Sequence, residues 1–412
     1  MSWKETYNAW KNYQALEPDL KDELAKLEGN DEALEDAFYA PMEFGTAGMR
    51  GVIGAGINRM NVYTVRQATE GLASLMDTLD EETKRRGVAI SYDSRHKSQE
   101  FAFESARVLG SHGIPSFVFE SLRPTPELSF TVRHLHAYAG IMITASHNPK
   151  QYNGYKIYGE DGAQMPPKES DLITKYIREV DDIFAVEAAD KDALINDGTL
   201  KVIGSEIDKE YLAEVKKVTV DPELVAEEGK TMKLIFTPLH GTGAMLGEKA
   251  LRQAGFEDFT MVPEQATPDA DFSTVEHPNP EFPEAFDLAI KLGKRDDADL
   301  LIAVDPDADR LGAAVRQPDG DYKLLTGNQI AAIMLNYILT ARKNAGTLPE
   351  NGALVKSIVS SEFAAKVAKD FGCDTINVLT GFKFIAEQIQ HFEETNEHTF
   401  MMGFEESYGY LV

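Results

Sequence analysis

The sequence predicts an α/β protein of three consecutive, similar α/β domains, and three observations carry that prediction. A strand, turn and helix pattern occurs three times; 412 residues exceed what one hydrophobic core usually organises; and 43% hydrophobic with 26% charged residues is an ordinary globular composition. In the first copy Val88-Ala-Ile-Ser-Tyr92 reads as a strand and a polar turn follows. Ala102, Phe103, Ala106 and Leu109 then mark one face of a helix stopped by Gly110 and Gly113, before a second strand, Ser116-Phe-Val-Phe119. The second copy has the strand Lys233-Leu-Ile-Phe236, the turn His240-Gly-Thr-Gly243 and a helix with Leu246, Ala250, Leu251 and Ala254 before Gly255. In the third, Ala353-Leu-Val355 leads through a serine-rich turn to Phe363, Ala364, Val367, Ala368 and Phe371, with Gly372 as the stop. Short apolar runs that give way to helical spacing are the mark of βαβ units.

The first forty residues read as polar helix, with Leu16, Leu20, Leu24 and Leu27 on one face. Phe44-Gly-Thr-Ala-Gly-Met-Arg-Gly51 is too rich in glycine for a regular element. The acidic stretch 181–204 is a candidate linker, and Gln317-Pro-Asp-Gly-Asp-Tyr322 is a turn expected to join two strands near a boundary. These signals divide the chain into 1–205, 206–322 and 323–412.

A net charge of −27 disfavours nucleic acid and anionic lipid as partners, while a local cluster of Arg and Lys could still receive a small anionic substrate. Cys373 is the single cysteine, which excludes an internal disulfide and suits a reducing compartment. No apolar run has the length of a membrane span or of a signal-peptide core, so a cytoplasmic protein is expected.

Three segments carry chemistry. Ala139-Gly-Ile-Met-Ile143 is a short apolar strand that runs into Thr144-Ala-Ser-His-Asn-Pro149, so Ser146 emerges at a strand end, where open α/β sheets put their sites. The same residue types also make a commonplace turn. The Gly-x-Ser-x-Gly elbow of hydrolases is missing, and His147 and Lys156 are near in sequence as possible activators. The strand Asp299–Val304 is followed at once by Asp305-Pro-Asp-Ala-Asp-Arg310, three carboxylates at alternate positions that can converge on a hard cation. An EF-hand would need glycine at the sixth position and glutamate at the twelfth; Arg310 and Arg316 stand there. A solvated acidic turn is the alternative. In Gly403-Phe-Glu-Glu-Ser-Tyr-Gly409, Glu405 and Ser407 would point the same way if extended, which suits sugar hydroxyls; a surface loop is the plainer reading.

Smaller features are Thr380-Gly-Phe-Lys383, with a backbone and an ammonium to offer a substrate or a plain strand-to-helix turn, and Arg50, which could hold phosphate. His240-Gly-Thr-Gly243 lacks the Lys and Ser/Thr of a P-loop and reads as a structural turn, and Ser360 and Ser361 read as helix caps.

Together and in this order, these motifs resemble the α-D-phosphohexomutase superfamily. Residues 144–149 resemble its phosphoserine loop, Asp305–Arg310 its magnesium loop, and Phe404-Glu-Glu-Ser407 its sugar-binding loop, with Phe404 where glycine is common. Thr380–Lys383 and Phe44–Arg50 are similar to the phosphoglucomutase and phosphopentomutase branch. The resemblance implies mixed sheets around a central cleft and an isomerase that interconverts hexose 1- and 6-phosphates, glucose foremost. Its phosphoryl group would reside on Ser146 and pass through glucose 1,6-bisphosphate.

It further implies Mg2+ on Asp305, Asp307, Asp309 and an oxygen of phosphorylated Ser146, with Arg310 and Arg50 balancing charge. Lys156, or else His147, would be the acid/base, and Thr380, Gly381, Lys383, Glu405 and Ser407 would hold the sugar. The family's fourth domain carries an Arg-x-Ser-Gly-Thr loop that has no counterpart in these 412 residues, so the chain is expected to lack that domain and with it full activity. A metal-dependent sugar phosphatase and a catalytically weak ligand-binding fragment are the rival readings. Sugar preference and the choice between monomer and dimer are left open by the sequence.

Overall fold

The structure is a computed structural model that describes residues 2–45, 48–165 and 167–412. It contains three mixed sheets. By internal packing the chain divides into two compact units, Met1–Leu122 with Thr131–Gly204, and Arg123–Phe130 with Ser205–Val412.

The first unit holds one sheet of six strands: β1 (Met49–Val52), β2 (Val88–Tyr92), β3 (Ser116–Phe119), β4 (Ala139–Ile143), β5 (Tyr152–Tyr158) and β6 (Leu200–Ile203), in the order β1-β5-β4-β2-β3-β6. β4, β2, β3 and β6 run parallel, whereas β5 pairs antiparallel with β4 and with β1. The apolar run Val88–Tyr92 is buried throughout, as a central parallel strand covered on both faces must be. Its core joins Val88, Ile90, Ile141 and Ile143 to Phe101, Ala102, Ala106 and Leu109 of the helix Ser98–Ser111. The N-terminal residues form three helices, Trp3–Asn12, Pro18–Leu27 and Asp31–Phe38. Leu16, Leu20 and Leu24 are buried among Trp10, Phe38 and Tyr63, Leu16 from a connecting segment rather than a helix.

The acidic stretch 181–204 is more ordered than a linker. It holds the helix Lys191–Asp197, and its last residues, Leu200–Ile203, add β6 to the sheet in register with Ser116–Phe119. Leu194 and Leu200 enter the core, while Asn196 and Asp197 between them stay exposed.

The second unit holds two sheets. One contains β7 (Leu234–Thr237), β8 (Phe259–Met261), β9 (Leu300–Val304), β10 (Leu311–Arg316) and β11 (Tyr322–Leu324), in the order β11-β10-β9-β7-β8. The other contains β12 (Gly352–Ser357), β13 (Asp374–Val378), β14 (Thr399–Glu405) and β15 (Gly409–Leu411), in the order β13-β12-β14-β15. The Gln317–Tyr322 turn joins β10 to β11, with Gly320 at φ +83°.

All three sheets repeat one plan. A first strand (β2, β7 or β12) pairs parallel with the strand after its helix (β3, β8 or β13) on one side and with a later strand (β4, β9 or β14) on the other. That later strand turns back into an antiparallel neighbour, β5, β10 or β15. Among the described residues no helix is long and apolar enough to cross a membrane.

Candidate functional site

The three chemical motifs occupy one place in this plan. Ser146 follows β4, Asp305–Arg310 follows β9, and Glu406–Tyr408 follows β14, each in the connection to the antiparallel strand. Each connection also contains one non-glycine residue in the left-handed region: Ser146 at φ +52°, Ala308 at +53° and Tyr408 at +69°. A Cβ in that region costs roughly 1–2 kcal/mol, so the surrounding structure must hold it there. In all three cases the turn that follows the adjacent first strand contributes the brace.

In the first unit the brace is Asp93-Ser-Arg95, directly after β2. The buried Arg95 guanidinium donates to the carbonyl oxygens of Pro149 at 2.9 Å and Tyr152 at 3.1 Å, and also to those of Ser146 and Asn148. Asp93 accepts from Ser98 Oγ at 2.7 Å, Thr144 Oγ1 at 2.6 Å and the Arg95 N–H at 2.9 Å. Burial pushes its carboxyl up, against the pull of the Arg95 guanidinium and of the Thr144 and Ser98 hydroxyls. Thr144 Oγ1 in turn accepts the Ser146 N–H at 2.8 Å. Ser146 Oγ is thereby placed 3.2 Å from His147 Nδ1. Arg50, on β1, donates to Asn148 Oδ1 at 2.9 Å. Lys156 is buried on β5, opposite Met142 of β4. Thr46 and Ala47 of the glycine-rich segment lie outside the described residues, and Gly48 beside them packs so closely that a Cβ would fall 2.1 Å from the Tyr155 carbonyl oxygen.

In the second unit Asp305, Asp307 and Asp309 offer carboxylate oxygens that lie within 4.8 Å of one another, and Asp305 and Asp307 are fully buried. An oxygen-only set with a threefold formal charge suits a hard divalent cation. Burial, and then the charges of Asp307 and Asp309, push the Asp305 carboxyl well above the usual range. Arg310 donates its N–H to Asp305 Oδ1 at 3.1 Å and Nη1 to Glu281 Oε1 at 2.6 Å. Burial opposes its charge, yet Asp305, Asp309 and Glu281 outweigh that and hold the guanidinium protonated.

The brace here is His240-Gly-Thr242. Thr242 donates both its N–H (2.8 Å) and its hydroxyl (3.0 Å) to the Pro306 carbonyl oxygen. Gly241 approaches so closely that a Cβ would lie 2.4 Å from Pro306 Cα. The structural turn read from the sequence is thus the floor of the acidic loop.

In the third sheet Ser360 is no helix cap. Its hydroxyl donates to Glu406 Oε2 at 3.0 Å and receives the Glu406 N–H at 3.0 Å, while Ser357 Oγ donates to the same carboxylate oxygen at 2.9 Å. Ser361 is the cap, accepting the Phe363 N–H at 3.1 Å. Gly327 admits the loop, since a Cβ there would fall 2.1 Å from the Glu406 carbonyl oxygen. β14 ends at Glu405 and residues 406–408 form a turn, so the extended geometry that would align Glu405 with Ser407 does not occur. Glu405 is buried and accepts the Gly381 N–H; burial pushes its carboxyl up and that N–H pulls it down. Thr380-Gly-Phe-Lys383 is a strand-to-helix turn, with Gly381 at φ +127° before the helix Phe382–Thr395 and Lys383 in its first turn. Burial lowers the Lys383 ammonium below the usual lysine range.

The second and third sheets are joined at their loops, where the Leu311 N–H donates to the Tyr408 carbonyl oxygen at 3.0 Å and the charges of Arg310 and Asp309 act on Glu405. The second unit therefore brings together Asp305, Asp307, Asp309, Arg310, Glu405 and Gly381, while Ser146, His147, Arg50 and Lys156 belong to the first. Asp93, Arg95, Gly241 and Thr242 are site residues that the motifs of the sequence do not mark. Asp93-Ser-Arg95 directly after a strand was the available signal, since a polar turn at a strand end is where such sheets place function.

Residues 41–183 match phosphoglucomutase/phosphomannomutase α/β/α domain I, residues 209–320 match domain II, and residues 326–412 match domain III. A phosphoglucomutase of Staphylococcus saprophyticus is 38% identical over 375 residues, which cover 91% of this chain and 66% of the relative. One of Staphylococcus aureus is 39% identical over 377 residues, 91% of this chain and 65% of the relative. The chain thus spans just under two thirds of the length of these relatives. Among solved structures, a Thermus thermophilus protein assigned as a phosphomannomutase superposes with a TM-score of 0.70 at 25% identity, over 90% of this chain and 75% of its own. The open form of the Paramecium phosphoglucomutase parafusin, at 20% identity and a TM-score of 0.67 over 90% of this chain and 67% of its own, shares the fold.

Proposed function

The chain belongs to the phosphoglucomutase/phosphomannomutase family, and from that premise we propose that it carries the phosphoryl-transfer machinery of a phosphosugar mutase acting on hexose 1- and 6-phosphates, glucose foremost. The observation that carries the proposal is Ser146 itself. A serine at a strand end, held in a left-handed conformation by a buried arginine that binds the carbonyl oxygens around it, is a hydroxyl placed for chemistry at a cost in stability. The phosphoglucomutases at 38–39% identity support glucose as the sugar. The division into 1–205, 206–322 and 323–412 accompanies this reading, except that its second boundary falls inside β11 (Tyr322–Leu324), which pairs with β10 and so belongs with the second segment.

Ser146 carries the phosphoryl group. The Oγ–P bond breaks as a sugar hydroxyl oxygen bonds phosphorus, and the proton of that hydroxyl passes to Lys156 or to His147, whose Nδ1 is 3.2 Å from Ser146 Oγ. In the return step the other phosphate of glucose 1,6-bisphosphate passes to Ser146. Asp305, Asp307 and Asp309 fit Mg2+, which when bound supplies charge neutralisation to the transferring phosphoryl group. Arg50 and Arg310 are aimed by Asn148 and Glu281, and Glu405, held by Gly381, accepts from sugar hydroxyls.

The test is conversion of glucose 1-phosphate to glucose 6-phosphate with Mg2+ and a trace of glucose 1,6-bisphosphate. Conversion that Ser146→Ala lowers by about 1,000-fold or more supports the proposal. Release of inorganic phosphate without isomerisation would replace it with a phosphatase.

A further inference from the structure

The acidic loop has a support that its own motif does not contain. Residues Arg123–Phe130 pack with the second unit, although residues on both sides of them belong to the first. Within this segment the Thr125 N–H donates to the Asp307 carbonyl oxygen at 2.9 Å, and Thr125 Oγ1 donates to Asp307 Oδ2 at 3.0 Å. Main chain and side chain of one threonine thus bind main chain and side chain of one aspartate, and both residues are buried.

The segment is fixed on either side of Thr125. Two residues before it, the buried Arg123 grips Asp208 with Nε at 2.7 Å from Oδ1 and Nη2 at 3.2 Å from Oδ2, a bidentate arrangement that fixes direction as well as distance. Five residues after it, the Phe130 ring packs on Tyr211 with centroids 5.5 Å apart. Asp208 and Tyr211 both lie on the helix Ser205–Lys217, so one helix carries both anchors.

We propose that Thr125 is a positioning residue for the divalent-cation centre: its hydroxyl sets the plane of the Asp307 carboxylate, and the Arg123–Asp208 anchor holds the hydroxyl in place. The proposal rests on the reading of Asp305, Asp307 and Asp309 as the cation site. Three carboxylates that share a buried space repel one another and rotate apart unless something fixes them. A neutral hydroxyl does so without adding a positive charge that would compete with the cation. Partners of this kind, one bond removed from a metal, typically change affinity by about 10- to 100-fold when removed.

The experiment titrates the 412-residue chain with Mg2+ by calorimetry, and with Mn2+ by electron paramagnetic resonance, for wild type, Thr125→Val, Thr125→Ser and Asp307→Asn. Thr125→Val keeps the shape and removes the hydroxyl; it is expected to weaken both ions about 10-fold or more and to change the Mn2+ line shape. Thr125→Ser restores the hydroxyl and is expected to bind as wild type does. Should Thr125→Val fail to fold, Thr125→Ala takes its place. Wild-type affinity in the valine or alanine variant overturns the proposal, and so does an equal loss in Thr125→Ser, which would mark a packing effect. Asp307→Asn separates the two readings: if it too binds as wild type does, the cation site lies elsewhere, whereas its loss beside an unaffected Thr125→Val refutes only the role of Thr125.

Discussion

Arg95 shows what a single buried charge does for the Ser146 loop. Four carbonyl oxygens, those of Ser146, Asn148, Pro149 and Tyr152, converge on its guanidinium. The planar fork of five donors allows this, and a lysine could not reproduce it. Asp93 lies 3.2 Å from Arg95 Nε, and Thr144, held by Asp93, receives the Ser146 N–H. Removing the guanidinium would leave a buried carboxyl without its counter-charge, which typically costs about 3–5 kcal/mol. Arg95→Met is therefore expected to lower unfolding free energy by about that amount in urea denaturation, and to lower phosphorylation of Ser146 even where the variant is still folded. A variant with wild-type stability and wild-type phosphorylation would remove Arg95 from the loop's support.

At the scale of elements, a strained loop beside a bracing turn recurs in three sheets, and the brace differs each time. A guanidinium fan supports Ser146, a threonine and a close glycine support Pro306, and two serine hydroxyls support Glu406. Gly241 is the most exposed to test, because its need for glycine is spatial. An added Cβ at 2.4 Å from Pro306 Cα forces one backbone to move, at a cost of about 1–3 kcal/mol for overpacking of this kind. Gly241→Ala is expected to weaken Mg2+ binding in calorimetry while the far-ultraviolet circular dichroism stays native. Unchanged affinity would mean that the acidic loop keeps its shape without this floor.

Strands and helices were legible because burial follows period. Val88–Tyr92, Ser116–Phe119 and Ala139–Ile143 are strands at the residues their apolar runs mark. Ser146 and the three aspartates were legible because each cluster directly follows such a run. The braces were not, because Arg95, Thr125, Gly241 and Ser360 act on residues that only the folded chain brings near; a polar turn directly after a strand, as at Asp93-Ser-Arg95, is the one local hint. β6 escaped because four residues with a charged neighbourhood give no periodic signal; its partner is Ser116–Phe119, more than eighty residues earlier. At Glu406–Tyr408 the plainer reading, a loop, is the one that holds, and the extended alternative fails because β14 ends at Glu405.

For the molecule as a whole, the nucleophile belongs to the first unit, and the acidic cluster and the sugar-loop residues to the second. Phosphoryl transfer needs in-line placement and charge neutralisation more than covalent help from the protein. The central claim is that Ser146 accepts and gives up the phosphoryl group. Intact-mass measurement and peptide mapping after incubation with glucose 1,6-bisphosphate and Mg2+ test it most directly. The account predicts one added phosphoryl group, mapped to Ser146, absent in Ser146→Ala and removed by chasing with glucose 1-phosphate. A phosphoryl group that maps to another residue, or an equal gain by Ser146→Ala, would contradict it.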